Sequence, residues 1–340
     1  MRISRLPAVV CALAVTAALV SARAARLPDV EVTIDEWTTP STPPYPHDPE
    51  FAPDGSVWYT GQRANVVGRL DPATGQFKEI ALPTPNSGPH GLVADKDGNI
   101  WYTGNGAALI GKIDAKTGQV TEFKMPDPKA RDPHTPIIDS HGTVWFTVQG
   151  GNFVGKLNPA DGKVTLAAAS PNSRPYGIKV NSKGIPFFDL FGTNKIGSID
   201  PATMTIAEYP LPDPAARPRR IAIAKDDTVY YTDYGRGFLG HLDPVTKKVE
   251  EFASPGGPRS RPYAVDITSD GAVWYCETGD NAKNMLVRFA PDTRRMQTFA
   301  IPSGGGTVRH MVVGKNDELW LAESGVGKIA RVRWKAIAAD

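Results

Sequence analysis

The sequence predicts an all-β chain folded as a seven-bladed β-propeller, and three observations carry that expectation. A unit of about 43 residues recurs along the chain, centred on Trp58, Trp101, Trp145, Phe187, Tyr230, Trp274 and Trp320. Each unit holds four short runs with strand character, separated by glycine and proline turns. No long segment shows helical periodicity, which excludes the helical solenoids of similar period.

The N-terminus comes first. MRISRLPAVVCALAVTAALVSARA has a basic start (Arg2, Arg5), an apolar core from Leu6 to Val20 and a small-residue cleavage signal at Ala22-Arg23-Ala24. The expectation is a cleaved signal peptide over residues 1–24, one propeller domain over 25–340, and a destination in the periplasm or outside the cell. The apolar run is too short for a membrane span, and Val10 before Cys11 argues against a lipid anchor, so no membrane contact is expected after cleavage. Cys276 alone would remain, which leaves no internal disulfide. Removing three arginines with the signal takes the formal charge from +2 to −1, a balance that points away from nucleic acid.

The blades follow. An acidic or glycine turn precedes the central aromatic (PDGSVW, KDGNIW, SHGTVW, SDGAVW), a third strand follows (VGRLDP, IGKIDA, VGKLNP, IGSIDP, LGHLDP), and a fourth reads FKEIALP, VTEFKMP or TIAEYPLP. The seventh unit stops after its third strand at KIARVRW. Its missing fourth strand matches EVTIDEWTTP, Glu31 to Pro40, ahead of the first unit. The N-terminal strand is therefore expected to complete the last blade and close the ring. The aromatics alternate with Thr along the strand and are expected to pack blade on blade, with Cys276 as a small packing residue.

In such a blade the start of strand one and the end of strand two meet beside the channel mouth. The first position, eleven residues before the aromatic and ten in the last unit, gives His47, His90, His134, Tyr176, Arg219, Tyr263 and His310. The second gives Gly61, Gly104, Val148, Leu190, Asp233, Glu277 and Glu323. Four histidines would then form an arc over blades seven, one, two and three, with Asp233, Glu277 and Glu323 on blades five to seven. Arg174, Arg217 and Arg261 lie two residues before the first position of blades four to six. Arginines suit bidentate oxyanion binding, while imidazoles and carboxylates ligate metals or move protons. A Pro-His-Gly corner is equally well explained as repeat consensus, and Asp233 as a structural partner of Arg219.

These motifs, Pro-His-Gly, D-x-x-G-x-x-W-[FY]-T, I-G-[RK]-[IL]-D and E-[FY]-x-[LM]-P, resemble the virginiamycin B lyase (streptogramin lyase) family from Glu31 to Trp334. The resemblance implies a propeller that opens a cyclic depsipeptide by elimination. It also implies a site with a histidine at the first position and a glutamate at the second position of one blade. A second glutamate would stand two residues before that histidine, a histidine on the preceding blade, and a magnesium ion among them. Here the pattern is divided. His310 and Glu323 supply the pair, with Val308 before it and Tyr263 on the preceding blade. Asp132, His134 and His90 supply the other half, with Val148 at the second position. Blade six keeps Glu277 but has Tyr263 and Arg261 in the other places.

The leading expectation is an exported lyase-like propeller acting on a small ester-containing or oxyanionic molecule. In it Glu323 and Glu277 hold a divalent metal such as magnesium, and His310 transfers the proton with His47 or His90 assisting. His134, Arg219, Arg261, Tyr176, Tyr263 and Asp233 would contact the ligand, and the protein would act as a monomer. Two other readings stay open: a non-catalytic propeller that binds a ligand or protein, and a four-histidine site for iron, copper or zinc. A six-bladed gluconolactonase-type lactonase fits the blade count less well.

Overall fold

The computed structural model describes residues 26–279 and 284–338, so the expected signal peptide lies outside the described residues. Seven four-stranded antiparallel sheets make up the fold, with two three-residue 3-10 turns, Asn105–Ala107 and Lys315–Asp317, as the helical content among the described residues. In six sheets the strands follow chain order. The seventh runs Val308–Val313, Leu319–Glu323, Lys328–Ala336 and then Val30–Thr38. The N-terminal strand thus closes the ring as expected, pairing from Val30↔Ala336 to Thr38↔Lys328. The first strand of blade seven packs against those of blades six and one, so the ring is continuous.

The core is divided by the blade interfaces. Among the described residues seven apolar clusters occur, one between each pair of neighbouring blades. Trp58, Trp101, Trp145, Trp274 and Trp320 are each at most 2% exposed and sit in these seams. Their indole N–H groups donate to the turn that precedes them, as Trp101 does to Asp95, whose carboxylate also accepts from the backbone N–H groups of Asp97 and Asn99. One motif therefore sets both the turn and the rotamer of the aromatic. The glycine of the third strand has a steric reason: a Cβ on Gly111 would stand 2.1 Å from the Tyr102 ring, and one on Gly240 1.9 Å from Tyr231.

A hydroxyl belt fixes the strands that line the channel. Thr103 Oγ1 accepts from the N–H of Gly91 in its own blade (2.9 Å) and donates to the carbonyl of His134 in the next (2.7 Å). Thr60, Thr147 and Thr232 repeat the link to the carbonyls of His90, Tyr176 and Tyr263. Blade four has Asp189 there, accepting from Gly177 N–H (3.0 Å), while blades six and seven have Cys276 and Ala322. Cys276 is buried in the seam between blades six and seven, as expected of a packing residue.

Thr103→Val keeps the shape but strands a buried N–H and a buried carbonyl. We expect a loss of about 2 kcal/mol in urea unfolding, against less than about 1 kcal/mol for Thr103→Ser; equal midpoints for the two variants would contradict the belt.

Candidate functional site at the channel mouth

Every first strand carries a β-bulge at its mouth end. Pro46 pairs with Gly61 and Pro49 with Tyr59, so three steps on one strand oppose two on the other, and the same shift recurs in all seven blades. The bulge leaves two consecutive residues per blade outside the regular ladder, and in several blades both turn toward the channel.

The pairing corrects one expectation. Val308 pairs with Glu323 just as Pro262 pairs with Glu277 and Pro46 with Gly61. The residue that follows, Arg309, therefore holds the first position of blade seven, and His310 holds the next. The histidine arc is three members long, His47, His90 and His134. His310 lies one place further along, in the electrostatic field of Arg220, Asp48 and Lys179.

The mouth layer is a row of closely approaching rings, each tilted against the next, closed by two arginines. Ring centres are 3.6 Å apart for His47–His90, 3.7 Å for His90–His134 and 3.7 Å for His134–Tyr176. The Tyr176 and Tyr263 hydroxyls hydrogen bond to each other across Arg219. The Arg219 guanidinium carbon stands 4.0 Å from the Tyr263 ring centre, 4.2 Å from Tyr234 and 4.8 Å from Phe191. Arg309 hydrogen bonds to the Tyr45 hydroxyl, and Arg63 covers the Tyr45 ring at 3.8 Å. A cavity of about 400 Å³ opens beside them, lined by Tyr45, Arg63, Thr307 and Ser324 among others.

Below this layer a buried ion pair spans the channel. The Arg220 guanidinium, from blade five, reaches both oxygens of Asp48 on blade one (2.8 and 3.0 Å) and Thr135 Oγ1 on blade three (3.0 Å). Both partners are about 1% exposed. Breaking such a pair leaves a buried charge unmet, at a cost of about 3–5 kcal/mol. Burial opposes ionisation of Asp48, but Arg220 outweighs it and holds the carboxyl below its ordinary range. Asp48 also accepts from His47 Nδ1 at 2.8 Å, which fixes that tautomer and leaves Nε2 as the acceptor. His134 Nδ1 meets Thr135 Oγ1 (2.9 Å), whereas His90 is followed by Gly91 and its buried Nδ1 has no partner. Burial pushes all four channel imidazoles well below the usual histidine range, helped by the arginines for His47, His134 and His310 and by His47 for His90. They are neutral at pH 7.

The second-position carboxylates are engaged elsewhere. Glu277 accepts from Ser254 Oγ and Gly256 N–H in the loop that enters blade six. Glu323 accepts from Ser303 in the loop that enters blade seven; burial and the nearby Glu36 raise its carboxyl to about 8. Asp233 pairs with Arg236 (2.7 Å) and caps Arg217 N–H, so its structural partner is Arg236 rather than Arg219. Arg261 is exposed, 5.6 Å from the Tyr234 ring centre.

A metal can be weighed against these donors. Among the described residues the grouping with metal-ligand spacing is His47, Asp48 and His90, without Glu277, Glu323 or His310. Magnesium prefers hard oxygen donors. This set offers two imidazoles and a carboxylate already held by a guanidinium, and it does not fit that ion. The residues unseen at the sequence level are Asp48, Arg220 and Arg309. Arg309 keeps the eleven-residue offset to Trp320 and was there to be found; Asp48 and Arg220 reach the channel through the bulge, which leaves no mark in the spacing.

The neutral imidazoles set a pH dependence. Unfolded histidine protonates below about pH 6.5 while these four stay neutral in the fold, so stability is complete above that value and falls as the pH drops through it. Urea midpoints from pH 8 to 5 should decline below about pH 6.5, by up to about 1.4 kcal/mol per pH unit for each histidine, and His90→Gln should flatten the decline. A flat profile to pH 5 would contradict the burial.

Comparison with known proteins gives the lineage. A streptogramin B lyase structure superimposes with a TM-score of 0.80 at 29% identity, over 89% of this chain and 98% of that one. The virginiamycin B lyase of Staphylococcus aureus does so with a TM-score of 0.80 at 26% identity, over 91% and 100%. The hydrazine synthase of Kuenenia stuttgartiensis shares the fold alone, at 13% identity and a TM-score of 0.72 over 89% and 98%. No curated protein matches the sequence. The family model described as the virginiamycin B lyase family matches residues 17–191 and 169–338. The chain belongs to the virginiamycin B lyase family.

Proposed function

We propose that this protein is an exported propeller that binds a small oxyanionic or ester-bearing molecule at the channel mouth, over Arg219 and Arg309. The observation that carries the reading is electrostatic. Both guanidiniums are half-buried, and among the described residues no carboxylate lies within ion-pair distance of either, while Arg220 beside them has Asp48. The Nε atoms of Arg219 and Arg309 are buried without a hydrogen-bond partner. Cations taken out of water without a counter-ion are costly, and a bound carboxylate or similar oxyanion would meet both. Tyr45, Phe191 and Tyr234 frame the two arginines, which suits a ligand with an apolar or aromatic body.

This reading departs from the reaction of the streptogramin lyases. In blade six, where Glu277 persists, Tyr263 and Arg261 replace the histidine and glutamate that the resemblance implies, and Arg219 replaces the histidine of the preceding blade. Among the described residues the one grouping with metal-ligand spacing, His47, Asp48 and His90, does not fit magnesium, and no step is assigned to a metal. Proton-transfer chemistry on the bound molecule is the second reading, favoured by one feature: His47 is neutral and its Nδ1 is tied to Asp48, which leaves Nε2 as a base.

Titration calorimetry with benzoate, acetate and inorganic phosphate tests the anion site. Benzoate should bind, and Arg219→Met and Arg309→Met should each weaken it at least about tenfold, as the loss of a charge-assisted hydrogen bond requires. Undiminished binding in the double variant would refute the site.

A further inference from the structure

The mouth holds more positive charge than Arg219 and Arg309 supply. Arg174, on the loop that enters blade four, lies 5.8 Å from the Phe191 ring centre, which Arg219 approaches to 4.8 Å. Arg261, on the loop that enters blade six, lies 5.6 Å from the Tyr234 ring centre, which Arg219 approaches to 4.2 Å. Phe191 and Tyr234 meet edge to face at 6.1 Å, so guanidiniums and rings alternate across blades four to six. On blades seven and one the pattern recurs. Arg309 and Arg63 stand 5.2 and 3.8 Å from the Tyr45 ring centre, beside the cavity of about 400 Å³.

The carboxylates of the mouth loops are committed elsewhere. Asp213 and Asp233 pair with Arg236, Glu277 accepts from Ser254 and Gly256, and Glu323 accepts from Ser303. Asp132 lies in the field of Arg174 but bonds to Asn105, and burial raises its carboxyl to about 6. Arg217 turns back to the carbonyls of Pro214 and Ala216. Arg63, Arg174 and Arg261 are exposed, and among the described residues their guanidiniums have neither an ion pair nor a hydrogen bond. A ring contact leaves the N–H donors of a guanidinium free. The backbone supplies a second observation. Arg174 and Arg261 hold left-handed φ angles of 51° and 49°, where blade two has Gly88 at 57°. A side chain is unfavourable in that conformation. Glycine is what the turn calls for, yet arginine stands there in the two blades that border Arg219.

We propose that the ligand of this mouth is a small polyanion, a molecule whose flat body carries at least one further oxyanion besides the one at Arg219 and Arg309. Arg174, Arg261 and Arg63 receive the further oxyanions, and the body lies against the rings between them. The proposal rests on the mouth being an anion site and adds the number of charges its ligand carries. A carboxylate has two oxygens and meets one or two guanidiniums; the guanidiniums of Arg63, Arg174, Arg219, Arg261 and Arg309 outnumber what one such group can satisfy. Like charges gathered without counter-ions repel one another, and each negative charge that binds relieves part of that repulsion. A polyanion therefore gains affinity over a monoanion of the same shape.

Benzoate, isophthalate and trimesate carry one, two and three carboxylates on the same ring, and titration calorimetry of the protein with each tests the proposal. Trimesate should bind at least about tenfold more tightly than benzoate at low salt, with isophthalate between them. Its affinity should also fall more steeply with added chloride. Replacing both rim arginines by the residue blade two uses, Arg174→Gly with Arg261→Gly, should weaken trimesate at least about tenfold and benzoate less than about threefold. Glycine suits the left-handed backbone, so this variant should unfold at urea concentrations no lower than the parent, which separates a lost contact from a lost fold. Should glycine weaken the fold, Arg174→Gln with Arg261→Gln carries the same comparison. Equal affinities for benzoate and trimesate, or trimesate binding that the double variants leave intact, overturn the polyanion. Failure of all three compounds to bind overturns the anion-site reading instead.

Discussion

The bulge at the mouth end of each first strand is the constraint from which the site follows. A regular strand would send alternate side chains into the channel and into the blade. The extra residue lets neighbouring positions of one blade both serve the channel, as His47 and Asp48 do in blade one and Arg219 and Arg220 in blade five. One residue of each pair builds the mouth and the other builds the ion pair below it. Seven blades, held apart by their apolar seams and tied by the threonine belt, then bring residues from opposite sides of the ring into hydrogen-bond range.

The ion pair explains the electrostatic character of what lies above it. Arg220 spends its charge on Asp48, reaching across the channel from blade five to blade one. Burial keeps the imidazoles of blades one to three neutral, so the ring row they form carries no positive charge. On the side of blades five to seven the mouth has two arginines, and their nearest acidic groups are phenols. The mouth therefore has a row of neutral rings on one side and two arginines on the other. A ligand with an oxyanion at one end and a flat body at the other matches that division.

The fold was legible because the repeat is written in side chains that do mechanical work. Trp101 with Asp95, Gly111 under Tyr102 and the Thr103 belt each fix one feature of a blade, and each recurs at the same offset. The displaced fourth strand could be read from the chain's start for the same reason. The site was legible in part. His47, His90, His134, Tyr176, Arg219 and Tyr263 meet at the mouth, as their common offset implied. His310 drew attention because it is a histidine, although the eleven-residue offset belongs to Arg309. The carboxylates Asp233, Glu277 and Glu323 occupy equivalent places, but their reach is decided by loop N–H groups and hydroxyls that no spacing reveals. Family membership fixes the propeller; the residue set that the resemblance implies is not completed in any one blade of this chain.

A crystal of the protein soaked in 4-bromobenzoate would test the central claim most directly, because bromine is located by its own anomalous signal. The account predicts a carboxylate bridging Arg219 and Arg309, with the bromophenyl ring against the aromatic frame of Tyr45, Phe191 and Tyr234. A mouth that stays empty while bromine occupies other surfaces, or a carboxylate bound away from both arginines, would contradict it.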